Sequence, residues 1–142
     1  MGEPLLTYRG AVYPWHCDHV GHMNVMWYVG KFDEATWNLF AALGLDPAFL
    51  RGNGRGMAAV EQTIAYKKEL MAGDVVTIYS TVIEIKERVI RFSHEMRKTD
   101  TGEVAATTVI TAVHLDTKAR KATAFPDDVK ARAKALAMSA DG

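Results

Sequence analysis

The sequence has little cysteine, no excess of charge of one sign and no long hydrophobic run. Its 142 residues include one cysteine, Cys17, so no disulfide forms within the chain and we expect a reducing compartment. The 17 basic side chains are balanced by 17 acidic ones, which argues against a broad electrostatic surface for nucleic acid or anionic membrane. No apolar run approaches the roughly 18 residues of a membrane span, so we expect no membrane partner.

The composition is that of an ordinary globular protein. Hydrophobic residues make up 49% of the chain and charged residues 24%, which excludes disorder as the main state. A chain of 142 residues suits a single domain over residues 1–142 with a core of its own. The first residues have no basic segment before an apolar run, as a signal peptide has, so we expect a cytoplasmic protein.

The hydrophobic pattern predicts five strands and a helical tail. In residues 88–98, Ile90, Phe92, His94 and Met96 alternate with polar residues, as in a strand with one buried face. The connections at 86–88 and 100–102 are short, which implies antiparallel hairpins. The tail, rich in Ala, Lys and Arg, is predicted to form a short exposed helix over 126–138. The predicted strands are 5–12, 57–67, 75–86, 88–98 and 104–115.

One long helix is predicted over residues 24–43. Asn24 is a favourable N-cap residue, and Gly44 is typical of the position just after a helix. Apolar residues cover almost the whole circumference, which predicts a buried helix. The predicted fold class is therefore α+β: a curled antiparallel five-stranded sheet wrapped around one long buried helix. A single sheet of this size cannot enclose a helix alone, so we expect a second subunit.

The segment 51–56 reads R-G-N-G-R-G. A glycine-rich stretch of this kind indicates a flexible or tightly turning connector. A loop that contacts phosphate is the alternative interpretation, although the segment has neither a P-loop nor a dinucleotide-binding pattern.

The loop from Pro14 to Met23 carries an unusual share of reactive side chains. Residues 16–22 hold three of the five histidines, the only cysteine and Asp18. The first N–H groups of a helix lack partners and carry partial positive charge, so the predicted helix supplies donors for an oxyanion. Asp18 precedes Asn24 by six residues, and a bent loop would bring its carboxylate to this helix end. That arrangement suits attack on a carbonyl group.

The same loop also contains residue types that bind metals. A spacing of three between the histidines suits one face of a helix, but Pro14 and Gly21 argue against a helix here. We therefore expect no metal site and interpret Cys17 as a packed thiol. The residues considered as ligands are His16, Cys17, Asp18, His19 and His22.

Three segments carry a resemblance to a known family. The most specific runs from Asp18 to Asn24 and continues through Tyr28 and residues 32–35, resembling a D-x-x-G-H-V-N-N-x-x-Y…F-x-E-A pattern. A second covers residues 66–74, where Glu69 occupies a position that is often proline in the family. A third covers residues 102–116. In order and spacing they resemble the hotdog-fold acyl-CoA thioesterases of the 4-hydroxybenzoyl-CoA thioesterase type, over about residues 6–116.

This resemblance implies hydrolysis of an acyl-CoA thioester. It places Asp18 as nucleophile or general base and the backbone N–H of Val25 in the oxyanion hole, although Val25 replaces the family's second asparagine. His22 and Asn24 complete the implied catalytic set, His22 as a structural or orienting hydrogen-bonding residue. Coenzyme A is part of the substrate, so no further cofactor is implied. The implied assembly is a homodimer or a dimer of dimers.

The run from Tyr13 to His19 also resembles thioesterases of carnitine breakdown, which release glycine betaine from betainyl-CoA. The aromatic side chains here either pack in the core or form an acyl pocket, since indole rings suit a quaternary ammonium. Asp33, Glu34 or Glu61 would balance such a cation. The candidates for substrate binding are Trp15, His19, Trp27, Tyr28 and Glu61. The candidates for the phosphates of CoA are Lys67, Lys68, Arg88 and Arg91, with Arg97 and Arg55 as further choices.

Two other functions remain open from the sequence. One is a hotdog hydratase or dehydratase, which would use an acid and a histidine at the helix. The other is a hotdog protein that binds acyl-CoA without turning it over. Release of free thiol from a panel of acyl-CoAs distinguishes hydrolysis from both. A role with nucleic acid lacks both a basic excess and a motif.

Overall fold

The computed structural model describes residues 4–141, which form one antiparallel sheet and the helices packed on it. The sheet has six strands in the order β1–β3–β4–β5–β2, with the two-residue β6 beside β5. The structure confirms the predicted antiparallel sheet around one long helix. Strand β6 is an additional strand that the sequence did not predict. The strands are β1 (Leu5–Ala11), β2 (Arg55–Tyr66), β3 (Val75–Ile85), β4 (Val89–Lys98), β5 (Val104–Asp116) and β6 (Lys121–Ala122). The helices are α1 (Val25–Leu43), α2 (Pro47–Asn53) and α3 (Asp127–Asp141).

The sheet curls because its ladders are interrupted. Register shifts occur in the pairing of β1 with β3, β2 with β5, β3 with β4 and β4 with β5. Each such irregularity bends a strand and increases its twist, so the sheet becomes concave on one side. On β4, Ile90, Phe92, His94 and Met96 are all buried on that side, as their alternation predicts.

Helix α1 begins and ends where the sequence predicts. The Asn24 side chain accepts a hydrogen bond from the N–H of Met26, which satisfies one free donor of the first turn. Gly44 ends the helix in the left-handed region at a φ of 98°, a conformation that favours glycine. Phe32 and Leu39 are fully buried in the two apolar clusters that the helix forms with the sheet.

The side of α1 that faces away from the sheet is not covered. The prediction that the whole helix is buried is therefore wrong for the single chain. Val25, Met26 and Trp37 expose 55%, 62% and 43% of their surface, and Val29 is also exposed. A sheet reaches only one side of a helix, and the described residues place nothing over the other side. These residues do not make a membrane helix, because no helix within residues 4–141 is long and apolar enough to cross a bilayer.

Two other segments differ from their predictions. Residues 51–56 are not a flexible connector: they finish α2, turn at Gly54 with a φ of 62° and begin β2. The tail helix α3 is longer than predicted and is not simply exposed. Val129 and Ala133, one turn apart, are buried in the apolar cluster beneath the sheet. A four-residue spacing places both side chains on one helix face, which explains how a mostly polar segment docks.

A chain of buried hydrogen bonds ties α1 to three strands through His94. Ser80 Oγ lies 2.6 Å from His94 Nδ1 and 2.7 Å from Thr7 Oγ1. On the other side of the ring, His94 Nε2 lies 2.8 Å from Thr36 Oγ1, which donates to the Phe32 carbonyl. Because the Thr36 proton is already used, Nε2 carries the ring proton and donates to Thr36. Burial disfavours a second ring proton, and in neutral His94 the other nitrogen, Nδ1, accepts from Ser80.

We expect this network to make the fold sensitive to acid. Burial lowers the pKa of His94 from 6.5 to about 4, so the unfolded chain binds a proton between these pH values and the folded chain does not. The free energy of unfolding should therefore fall by about 3 kcal/mol as the pH decreases from 6.5 to 4. Urea titrations across this range measure it. A His94→Gln variant should reduce the dependence by this amount, and the part that remains is expected from His16 and His114, whose pKa values burial also lowers. An unchanged dependence would contradict the assignment.

Candidate active site

A cleft of about 380 Å³ lies at the N-terminal end of α1. One wall is the loop before the helix, and the other is the end of β2 with the residues that follow it. The cleft therefore lies between the first two of the three segments that carry the family resemblance. Its lining residues are Asp18, Val20, His22, Met23, Asn24, Val25, Tyr28, Tyr66, Lys67, Lys68 and Glu69.

The loop before α1 folds back on itself and thereby places Asp18 in the cleft. The N–H of Asp18 donates to the His22 carbonyl at 3.1 Å, and the N–H of Gly21 donates to the Asp18 carbonyl at 3.0 Å. Gly21 has a φ of 98°, which the reversal requires and which other residues rarely adopt. The loop is anchored where the N–H of Met23 donates to the Leu70 carbonyl at 2.7 Å.

Asp18 is held as a carboxylate by two donors. Its Oδ2 accepts from the Asn24 side-chain amide at 3.0 Å, and its Oδ1 accepts from the N–H of Val20 at 2.9 Å. The Asn24 amide, followed by the Val20 N–H, holds the pKa of Asp18 below its ordinary value, because both stabilise the charged form. Asp18 is therefore ionised at neutral pH and positioned for proton transfer or nucleophilic attack.

The start of α1 supplies a hydrogen-bond donor next to this carboxylate. Asn24 also accepts from the N–H of Met26, and the N–H of Trp27 donates to the Asn24 carbonyl. Within residues 4–141 no acceptor is bonded to the N–H of Val25, the first residue of the helix. The helix dipole adds partial positive charge at this end. An ionised carboxylate and a free, polarised donor thus line one cleft.

Away from the loop, the cleft is lined by aromatic and charged side chains from α1 and from the end of β2 with the residues that follow it. Tyr28 is buried, donates from its hydroxyl to the Lys68 carbonyl at 2.9 Å and meets the Tyr66 ring edge-on at 5.2 Å between centroids. Burial, with the nearby Glu69 carboxylate as the next cause, raises the pKa of Tyr28. Glu69 Oε2 lies 3.1 Å from His22 Nε2, across the mouth of the cleft.

The structure brings together only part of the predicted site. Asp18, His22, Asn24, Val25 and Tyr28 all line the cleft, as do two of the basic candidates, Lys67 and Lys68. Lys68 is also paired with Glu103 at 3.3 Å. Their roles in binding and catalysis stay predictions.

Three of the predicted substrate contacts, Trp15, His19 and Trp27, do not line the cleft in this chain. Trp15 is 66% exposed and stacks flat on Tyr13 at 4.6 Å, while Trp27 packs on the His16 ring at 4.4 Å. His19 is exposed. Trp15 belongs to a single 3₁₀ turn at Pro14–His16 and Trp27 to the first turns of α1, and their contacts with Tyr13 and His16 keep both rings outside the cleft.

Glu61 lies outside the cleft, and an irregularity in β2 turns it away from α1. The register shifts between Ala59 and Glu61, so Ala59 pairs with the buried Ala112 and Glu61 with Thr111 on the outer face. With regular alternation Glu61 would share the inner face with Ala59, which lines a second cleft beside the middle of α1. The shift instead turns the even-numbered residues inward, and Tyr66 enters the cleft.

The remaining basic candidates also lie elsewhere. Arg91 is on β4 and pairs with Glu84 at 4.0 Å, and Arg88 is in the turn before β4. Arg55 pairs with Asp116, and Arg97 pairs with Glu95 and packs over the Tyr79 ring. The described residues contain no group of three His, Cys, Asp or Glu side chains placed to hold a metal ion.

Sequence reasoning missed Tyr66 and Glu69 as residues of the cleft. Tyr66 begins the second resembling segment, and its inward direction depends on the shift in β2. Glu69 has a signal in the sequence, since it occupies a position where the resembling family often has proline. That signal does not connect Glu69 to Asp18, because nothing in the spacing shows that the two segments face each other.

Comparisons with known proteins concern the family and the fold. The model of the Thioesterase-like superfamily matches residues 12–133. A betainyl-CoA thioesterase of Pseudomonas aeruginosa is 25% identical over 96% of this chain and 86% of its own length. A protein of Agrobacterium fabrum named L-carnitine dehydrogenase/betainyl-CoA thioesterase is 30% identical over 87% of this chain. The match spans only 25% of that longer relative.

The similarity to solved structures concerns the fold. A Staphylococcus aureus protein solved in complex with CoA superposes with a TM-score of 0.91, covering 98% of this chain and 87% of its own. Its sequence identity is 21%, so it supports the architecture of the sheet and helix rather than any residue's role.

We expect Asn24→Asp to raise the pKa of Asp18 while leaving α1 intact. Aspartate keeps the cap oxygen for the Met26 N–H but replaces the donor to Asp18 by a second carboxylate, which disfavours the charged form. A ¹³C NMR titration of the Asp18 carboxyl carbon measures the change, and circular dichroism checks the helix. Asn53→Asp adds the same charge at an exposed position of α2 and should leave the titration midpoint of Asp18 unchanged. An unmoved midpoint in Asn24→Asp would refute the role of the amide.

Proposed function

Because this chain belongs to the Thioesterase-like superfamily, we propose that it hydrolyses the thioester of an acyl-CoA to a free acid and CoA. The observation that carries the proposal is the pairing of ionised Asp18 with the free N–H of Val25 in one cleft. The relatives named betainyl-CoA thioesterases support it.

In the proposed reaction the thioester carbonyl oxygen accepts a hydrogen bond from Val25. Asp18 either takes a proton from water, whose oxygen attacks the carbonyl carbon, or attacks that carbon itself to form an anhydride that water then hydrolyses. The negative charge that develops on the carbonyl oxygen is stabilised by the N–H and the helix dipole. The carbon–sulfur bond breaks, and the CoA thiolate leaves and is protonated. Water is the only co-reactant, so the proposal requires no further cofactor.

A betainyl group is the acyl group that we propose. Two relatives with this activity in their names match along most of this chain, at 25% and 30% identity. The cleft has apolar and aromatic surface from Val25 and Tyr66 for the methyl groups, and carboxylates that favour a cation. Lys67 and Lys68 at its rim are proposed to contact CoA phosphates.

We also propose that the chain acts as a homodimer or a dimer of dimers in the cytoplasm. The uncovered side of α1 presents Val25, Met26, Val29 and Trp37 together, a larger apolar surface than a scattering of single residues. Strand β2 ends the main path of the sheet and is exposed along most of its length, so its free edge suits pairing with another copy. A neighbouring subunit would be needed for Arg88 or Arg91 to reach the substrate.

Asp18→Asn should lower kcat for acyl-CoA hydrolysis by at least about 100-fold, because the amide is neither a base nor a nucleophile. Asparagine keeps one side-chain oxygen as an acceptor, and the backbone hydrogen bonds of the loop are unchanged, so we expect the loop to stay folded, which a thermal melt checks. Thiol release measured with a disulfide reagent reports the rate. Activity within a few-fold of the wild type would contradict the mechanism.

Val25→Pro tests the oxyanion donor separately from the side chain. Proline is well tolerated at the first position of a helix, and Asn24 already has the extended backbone that a residue before proline needs, at a ψ of 149°. Deleting this N–H should lower kcat by about 10²–10³-fold. Val25→Ala removes side-chain atoms but keeps the N–H, so the difference between the variants isolates the donor. Equal rates in the two variants would exclude it.

A further inference from the structure

The cleft contains two carboxylates, and they are engaged differently. Both oxygens of Asp18 accept hydrogen bonds, from Val20 and from Asn24. Glu69 contacts His22 through Oε2 alone, and within residues 4–141 its Oε1 has no partner. Its side chain is 72% exposed at the cleft, so one oxygen is free to meet a bound group.

The position of the reacting carbonyl limits which carboxylate can balance a cationic acyl group. In a betainyl thioester one methylene separates the ammonium from the carbonyl carbon, so the counter-charge must lie in the cleft that contains the Val25 N–H. Asp33 lies eight residues further along α1, about 12 Å at the rise of a helix, and lines a different cleft of about 140 Å³. Glu61 is on the outer face of β2.

The surroundings of Glu69 suit a quaternary ammonium. The raised pKa of Tyr28 has the Glu69 carboxylate among its causes, which places that charge close to the aromatic wall. The half-exposed Tyr66 ring, edge-on to Tyr28, offers a face for methyl groups. Within residues 4–141 neither lysine of the cleft is paired with Glu69, and Lys68 is paired with Glu103 instead.

We infer that Glu69 is the specificity residue that balances the positive charge of the acyl group while its carbonyl is bound at Val25. His22 orients the Glu69 carboxylate across the cleft, leaving Asp18 for the chemical step. This inference rests on the proposed function and names the substrate class: short acyl groups with a permanent cation next to the thioester.

The test compares two substrates of the same shape. Betainyl-CoA carries a trimethylammonium group, and 3,3-dimethylbutyryl-CoA carries a tert-butyl group in its place. We expect the wild type to prefer the cation in kcat/KM, after subtraction of the uncatalysed rates. Glu69→Gln should lower kcat/KM for betainyl-CoA about tenfold, the loss of one ion pair in a partly solvated cleft, and change the neutral substrate less than about threefold.

Glu87→Gln is the matched control. It removes the same charge from an exposed carboxylate outside the cleft, one that pairs with Lys130 of α3, and should leave the ratio between the two substrates unchanged. The inference is overturned if Glu69→Gln slows both substrates equally, or if Glu87→Gln lowers the ratio as much. Wild-type hydrolysis of neutral acyl-CoAs without preference for the cation would overturn the inference and leave the thioesterase standing. Hydrolysis of no acyl-CoA would overturn both.

Discussion

The Asn24 side chain makes two hydrogen bonds on which the rest of the site depends. Its oxygen accepts from the N–H of Met26 and so begins α1, and its amide donates to Asp18. The same residue thus decides where the helix leaves a free N–H, at Val25, and where the carboxylate is held. Since both groups are positioned by one short side chain, the distance between them does not depend on a flexible loop.

The sheet has a corresponding role on the far side of the cleft. The register shift in β2 sends Glu61 outward and Tyr66 inward, and the chain then passes directly to Lys67, Lys68 and Glu69. Buried polar bonds through His94 fix α1 against β1, β3 and β4, so the helix start cannot move far from that wall. Buried His94 is neutral at neutral pH, which keeps this arrangement intact. Its protonation in acid weakens the arrangement.

Local patterns predicted most of the fold. The bounds of α1 followed from Asn24 and Gly44, and the buried face of β4 followed from its alternation, because caps and periodicity are properties of neighbouring residues. The residues around Asp18 and Val25 were predicted for the same reason, as both lie within one short run. The burial of α3 was missed, since a docking face of two small residues, Val129 and Ala133, hardly stands out in a polar segment.

By itself the sequence determined the fold class, the family resemblance and the pairing of a carboxylate with a helix start. Only the tertiary structure decided which residues stand opposite that pair: Glu69 and Tyr66 rather than Glu61, and two lysines rather than the arginines of β4. For Tyr66 the physical reason is that one inserted residue in β2 reverses every later side chain on that strand, and that reversal is visible only in the pairing with β5. For Glu69 and the lysines it is that the end of β2 lies against the loop before α1, a contact between segments far apart in the sequence. Contacts between distant segments depend on such registers, whereas caps and turns do not.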